Sequence, residues 1–153
     1  KLNNLKLKIL SSLTTLEDEA IEFYDNKIGK SNYQFIRKEN NDESYAIVDN
    51  HKFVCGIDST ILYETLARNS RVGIFYVRNC FISALRNVKF GWPSKLDNNG
   101  IFWTHFIEEE EIFRILNNIL SLSDKDWALK TNNAISKVMN YDSRNTILKN
   151  LLK

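Results

Sequence analysis

The chain has 153 residues, 43% of them hydrophobic and 12% aromatic, which suits one globular domain with a substantial core. The formal net charge is only +2, and the 21 basic residues are scattered among 19 acidic ones, so no electrostatic footprint for nucleic acid is predicted. No apolar run approaches the roughly 20 residues that a membrane-spanning helix needs, so no transmembrane segment is predicted in this sequence.

The N-terminal third predicts a strand, a helix and a second strand. Leu5–Leu10 alternates apolar and polar residues at period two, and Leu16–Ile28 has helical spacing behind an acidic first turn. Tyr33–Arg37 again has the pattern of a strand. The order predicts a βαβ unit, and a short helix over Ser44–Val48 then leads to the central strand.

The middle of the chain is its most informative part. Phe53–Ile57 is a short apolar run typical of a buried parallel strand, and Arg71–Val77 is a second one after a crossover of about a dozen residues. Asp58, Ser59 and Thr60 form the turn between the first of these strands and the helix. Ligands of open α/β sheets bind beyond the carboxyl ends of the strands. These three residues are therefore predicted where a phosphate would meet the free N–H groups of a helix start.

A purely structural interpretation of the same residues stays open. Ser59 or Thr60 would then cap the helix, and Glu64 would pair with Arg68 four residues on. With Ser59 as the cap, the third helical position is Leu62, so no capping box forms. A capping role therefore leaves Glu64 unexplained.

The rest of the chain predicts a long irregular segment and then helices. The segment Val77–Gly100 contains the only proline and two of the five glycines, and loops of this length are often functional. Ile101–Thr104 predicts a last short strand, and a helical tail follows over about residues 108–153. The final helix is expected to bury its apolar residues Ile147, Leu148, Leu151 and Leu152.

Three further side chains are candidates for binding. Arg78 follows the strand after the Ser-Thr helix, and a guanidinium donates two parallel hydrogen bonds to a diphosphate or a carboxylate. Trp92 and Trp103 are candidates for the wall of a sugar or base subsite. A solvated loop arginine and core tryptophans are the alternatives.

Other chemistries find little support in the sequence. His51 and His105 are the only histidines and lack partners at metal-ligand spacing, so no metal is predicted. There is no Gly-x-Gly-x-x-Gly motif and no Walker loop, which argues against dinucleotide or P-loop binding. Cys55 and Cys80 suit a reducing compartment better than a disulfide scaffold, which favours the cytoplasm.

Between Ser44 and Lys153 the chain carries five ordered motifs: Asp58-Ser59-Thr60-x-x-x-Glu64-x-x-Ala67-Arg68, Phe90-Gly91-Trp92-Pro93, Gly100-Ile101-Phe102-Trp103-Thr104, Ser123-Asp124-Lys125-Asp126-Trp127 and Tyr141-Asp142-x-x-Asn145. In order and spacing they resemble the C-terminal half of GT-B glycosyltransferases. They resemble in particular bacterial surface-carbohydrate biosynthesis proteins, which make lipopolysaccharide or capsule.

This resemblance implies an α/β, Rossmann-like three-layer domain with a mostly parallel sheet followed by C-terminal helices, one half of a GT-B fold. Residues 1–153 would form a single donor-binding domain of a longer protein, located in the cytoplasm or peripheral to the inner membrane. Ser59 and Thr60 would hold the phosphate of a nucleotide-activated sugar, and Glu64 would bind its ribose. No other cofactor is implied.

The resemblance also implies what this part of the protein would not do alone. The catalytic residues are expected on the missing N-terminal domain, and a glycan would be the acceptor, so the isolated fragment is not expected to be active. Two alternatives stay open. One is a noncatalytic, flavodoxin-like α/β interaction or regulatory domain whose Ser-Thr turn is only a cap. The other is the half-domain of a sugar-nucleotide epimerase.

Overall fold

The computed structural model describes residues 5–11, 17–40, 42–82, 88–92 and 94–152. Strands and helices alternate along the first half of the chain, and helices follow: β1 (Leu7–Leu10), α1 (Glu17–Ile28), β2 (Tyr33–Ile36), α2 (Asp42–Asp49), β3 (Phe53–Gly56), α3 (Thr60–Ala67), β4 (Arg71–Phe75), β5 (Trp103–Thr104), α4 (Glu109–Ser121), α5 (Asp124–Val138) and α6 (Thr146–Leu151). A 3-10 turn, Arg78–Cys80, follows β4. The predicted Rossmann-like α/β class, with parallel strands followed by helices, is confirmed.

The chain divides into two compact units, Lys1–Asn50 and His51–Lys153. In the first unit β1 and β2 pair in parallel, from Leu7 opposite Tyr33 to Leu10 opposite Ile36. Helix α1 forms the crossover between them, which confirms the predicted first βαβ unit. That both units belong to one domain stays a prediction.

In the second unit β3, β4 and β5 form a parallel sheet in that order. Helix α3 connects β3 to β4, as the apolar runs predicted, and α4 packs against β4. Gly73 of β4 permits this close approach, because a Cβ there would lie 2.9 Å from Cys55 Sγ and 3.1 Å from Ile115 Cγ2. Asn99 and Thr104 form an isolated antiparallel bridge, which joins the segment before β5 to this strand.

The hydrophobic core of the second unit combines α3, β4, the aromatic residues before β5, and α4 with α5. Phe90, Phe102 and Trp103 form its centre, with ring centroids 4.9 to 5.8 Å apart. The buried members of this cluster are Leu62, Leu66, Val72, Ile74, Phe90, Phe102, Trp103, Ile119, Trp127 and Ile135.

The chain just before β5 is held in place from two sides. A Cβ on Gly100 would lie 2.0 Å from the Trp103 ring, so the indole lies directly against the backbone of this glycine. On the other side, Arg114 of α4 donates to the Gly100 carbonyl at 2.6 Å and is paired with Glu111 at 2.7 Å. The hydrogen bond from Arg114 lowers the pKa of Glu111 to about 2.

The final helix does not bury its apolar side chains, and the expectation that it does is wrong. Ile147, Leu148, Leu151 and Leu152 are all exposed. The Asp142 carboxylate accepts a hydrogen bond from the Ile147 N–H at 2.8 Å and so satisfies one donor at the start of α6. A helical apolar pattern predicts an apolar face, but it does not provide the surface that would cover this face.

Candidate functional site

Three parallel strands of the second unit end at the same edge of the sheet, and polar residues follow each of them. Asp58 comes after β3, Arg78 after β4 and His105 directly after β5. We call this edge the rim. Its position agrees with the rule that ligands of α/β sheets bind beyond the carboxyl ends of the strands.

Asp58 is the most constrained residue of the rim. Its backbone has a φ of +46°, in the left-handed region, and its side chain is only 8% exposed. The carboxylate accepts a hydrogen bond from the Arg78 N–H, and Oδ2 lies 3.9 Å from the Arg78 Nε. Its Oδ1 is buried and has no hydrogen-bond partner. Burial raises the pKa of Asp58, and the Arg78 N–H and guanidinium oppose this rise.

Ser59 stands at the N-cap position of α3 in an extended conformation, but its hydroxyl makes no capping hydrogen bond. Ser59 and Thr60 are both exposed. The N–H groups of Thr60 and Ile61 lie in the first turn, where a helix supplies no acceptor. At the start of α5, by contrast, the Ser123 hydroxyl accepts from the Asp126 N–H at 3.1 Å. The N-terminus of α3 therefore keeps its hydroxyls and N–H groups available to a ligand.

Glu64 lies one turn after Thr60 and is half-buried. Residues four apart share one face of a helix, so Thr60 and Glu64 are neighbours on α3. The Glu64 carbonyl accepts from the Arg68 N–H at 3.2 Å, and the Arg68 guanidinium lies 3.5 Å from the Thr65 hydroxyl. The predicted site residues of α3 thus follow the helix from its start into its second turn.

Two rim tyrosines were missed by the sequence analysis. Burial raises the pKa of Tyr63 to about 12 and also raises that of Tyr76, and the Asp58 charge adds to both rises. Both phenols therefore stay neutral and can donate a hydrogen bond. Tyr76 directly follows β4, which ends at Phe75 and not at the predicted Val77, so the sequence analysis had placed this tyrosine inside the strand.

His105 contacts both a rim tyrosine and the aromatic segment around Phe90. Its ring packs against Tyr76 with centroids 5.1 Å apart, and its Nε2 accepts from the Phe90 N–H at 3.1 Å. Burial, together with the charge of Lys89, lowers the pKa of His105. A neutral ring that accepts through Nε2 carries its proton on Nδ1. His105 thereby ties the aromatic segment around Phe90 to the end of β5.

The two tryptophan candidates occupy different environments. Trp103 is 6% exposed, packs on Phe102 and donates from Nε1 to the Asp97 carbonyl at 3.0 Å. Core packing therefore accounts for its position. Trp92 is 75% exposed, in the turn that follows Phe90. The roles of both in sugar or base binding stay predictions.

Chemically, the rim offers many donors and one buried acceptor. The donors are the two hydroxyls, the first N–H groups of α3 and the Arg78 guanidinium, and Asp58 is the acceptor. The donors suit a phosphate-bearing ligand, whereas the Asp58 carboxylate accepts from the Arg78 N–H. Within the described residues, no three His, Cys, Asp or Glu side chains are grouped so that they could hold a metal ion. No helix in the same residues has the length and apolar character needed to cross a bilayer.

Comparison with known proteins adds a functional context. A family model described as "putative O-antigen biosynthesis protein" matches residues 1–153. No curated protein and no solved structure matches the chain.

Proposed function

The chain belongs to this family of O-antigen biosynthesis proteins, and we propose that it is the donor-binding half of a glycosyltransferase of GT-B type. The family match supports a role in the synthesis of bacterial surface carbohydrate. The motif resemblance supports the more specific part of the proposal, namely that the donor is a nucleotide-activated sugar. The donor would bind at the rim.

The observation that carries the proposal is the uncapped start of α3. Capping is the ordinary reason for a serine at this position, yet the Ser59 hydroxyl makes no such bond. A phosphate at the helix start would accept hydrogen bonds from the N–H groups and the two hydroxyls, and the positive end of the helix dipole would favour its charge. Arg78, held beside Asp58, would add a positive charge to the same place.

This arrangement suggests how the chain would assist glycosyl transfer. Negative charge grows on the nucleotide leaving group as the bond to the sugar breaks. Groups fixed in advance around that charge stabilise the transition state. Glu64, one turn further along α3, would accept hydrogen bonds from the ribose hydroxyls. Proton transfer is assigned to no residue of this chain, because GT-B enzymes usually take the catalytic base from the N-terminal domain.

The test is a double substitution, Ser59→Ala with Thr60→Ala. We expect affinity for nucleoside diphosphates, measured by calorimetry, to fall about tenfold or more, because hydrogen bonds to charged groups contribute roughly 1.5–3 kcal/mol each. Thermal stability should change little, because Ser59 makes no capping bond.

Three results would contradict the proposal. If the melting temperature falls while nucleotide affinity is unchanged, the turn is only structural. If the unmodified protein binds no nucleotide at all, a noncatalytic α/β interaction domain is favoured. Nucleotide binding at the rim combined with epimerisation of a sugar nucleotide by the full-length protein would favour the epimerase alternative.

A further inference from the structure

A cavity of about 250 Å³, which we call the lysine cavity, lies between the segment Lys95–Asp97 and helix α5. No residue of the rim contributes to it. Its lining combines three lysines, one carboxylate, one amide and an apolar floor: Lys95, Lys130, Lys137, Asp97, Asn133, Leu96, Ala134 and Trp103.

The three lysines give the lining of this cavity a net positive charge. In the part of the chain that the structure describes, none of their ammonium groups forms an ion pair with a carboxylate. With Asp97 included, the lining carries two net positive charges. The sequence analysis did not predict this cluster, because its three lysines are scattered along the chain.

Both walls of the cavity are fixed. Its α5 residues lie at positions 130, 133, 134 and 137, the spacing of a single helix face. The opposite segment is fastened at both ends, because the Ser94 hydroxyl donates to the Lys137 carbonyl and the Asp97 carbonyl accepts from the Trp103 indole at 3.0 Å. Between these points Leu96 packs against the core. The lysines thus extend from a fixed frame.

We propose that this cavity binds a phosphate group, at a site separate from the rim. A phosphate monoester carries a charge of about −1.5 to −2 at neutral pH and would neutralise the lining, whereas a single carboxylate would leave it positive. Ammonium groups bind phosphate as point charges, and the Asn133 amide can donate to a further oxygen. Pockets for whole drug-sized ligands usually measure about 300–1,000 Å³, so this smaller volume suits a phosphate or diphosphate with a short attachment.

The experiment titrates inorganic phosphate and pyrophosphate into the full chain by calorimetry at low ionic strength. The test variant combines Lys130→Gln with Lys137→Gln. The control variant combines Lys125→Gln with Lys149→Gln, which removes the same charge from lysines outside the cavity. We expect the test variant to bind pyrophosphate at least tenfold more weakly and the control to bind it within twofold of the unmodified protein. Equal losses in both variants, or no saturable binding to the unmodified chain, would overturn the proposal.

A second series of titrations with organic phosphates identifies the kind of molecule that supplies the phosphate group. A nucleoside diphosphate, a sugar phosphate and a short alkyl diphosphate are titrated into the same variants and into Ser59→Ala with Thr60→Ala. If the affinity for one of these ligands falls only in the variant that lacks the cavity lysines, the separate site is supported. The chemical class of that ligand is then the class that the cavity binds. If each phosphate compound loses affinity only in the Ser59 and Thr60 variant, the rim binds them all and the second site is refuted. If the nucleoside diphosphate depends on the lysines alone, the cavity proposal stands and the assignment of the rim to the nucleotide fails.

Discussion

At the scale of single residues, Asp58 combines features that are unfavourable for the stability of the fold. The three residues other than glycine that adopt positive φ within the described segments, Asp58, Asn69 and Asn145, all belong to types that tolerate this conformation. Asp58 combines positive φ with a buried carboxylate whose Oδ1 lacks a partner. Such strain and burial are often retained where a site needs them.

The stability of the protein should therefore depend on the protonation of Asp58. Burial raises its pKa in the folded state, so its stabilising contribution is present below the ordinary value of 3.8 and is lost as the pH rises through the folded pKa. Asp58→Asn keeps the shape and removes the titration. Urea unfolding between about pH 3 and pH 7 should show the variant gaining stability relative to the unmodified protein as the pH rises through the folded pKa of Asp58. If the difference in unfolding free energy between the two proteins does not change with pH, the Asp58 carboxyl has the same pKa in the folded and unfolded chains, which would contradict the prediction.

Glu64 gives a second prediction at this scale, which rests on the proposed ribose contact. Glu64→Gln should weaken the binding of nucleotides more than that of inorganic phosphate, because only nucleotides carry the ribose hydroxyls. Arg68→Ala tests the competing account of a helical ion pair. If that pair is the whole role of Glu64, both substitutions should shift stability by a few tenths of a kcal/mol and leave calorimetric affinities alone.

At the scale of secondary-structure elements, the two helix starts with a serine N-cap should respond differently to the same substitution. Ser123→Ala removes a capping hydrogen bond and should cost about 1 kcal/mol of unfolding free energy. Ser59→Ala removes no such bond and should cost a few tenths at most. Chemical denaturation of both variants measures the difference, and equal losses would show that Ser59 caps α3 in solution.

The elements that the sequence predicted well are those with local signals. The apolar run of β3, the Ser-Thr turn and the run of β4 are contiguous, so the βαβ unit and the rim followed from them. The two-residue strand β5 depends on distant partners, as the pairing of Ile74 with Trp103 shows, and its bounds could not be read locally. The lysine cavity could not be predicted from local patterns either, because Lys95 is far in sequence from Lys130 and Lys137.

At the scale of the whole molecule, the second unit holds a complete hydrophobic core. Every buried member of the core cluster lies between Leu62 and Ile135, and the rim and the lysine cavity lie in the same unit. We therefore expect residues 51–153 alone to fold cooperatively and to keep the nucleotide and phosphate affinities of the longer chain. Circular dichroism during thermal unfolding and calorimetry would measure this. Loss of cooperative unfolding would show that the second unit requires residues 1–50.

The contact between Gly100 and Trp103 constrains how this family can change over evolutionary time. Even an alanine at position 100 would place its methyl carbon inside the indole, so the two positions are expected to coevolve. A relative with a larger residue at position 100 should carry a smaller one at 103. That exchange would also remodel the floor of the lysine cavity, because Trp103 belongs to both the core and the cavity. Divergence at one glycine would thus alter ligand preference at a site that the glycine does not line.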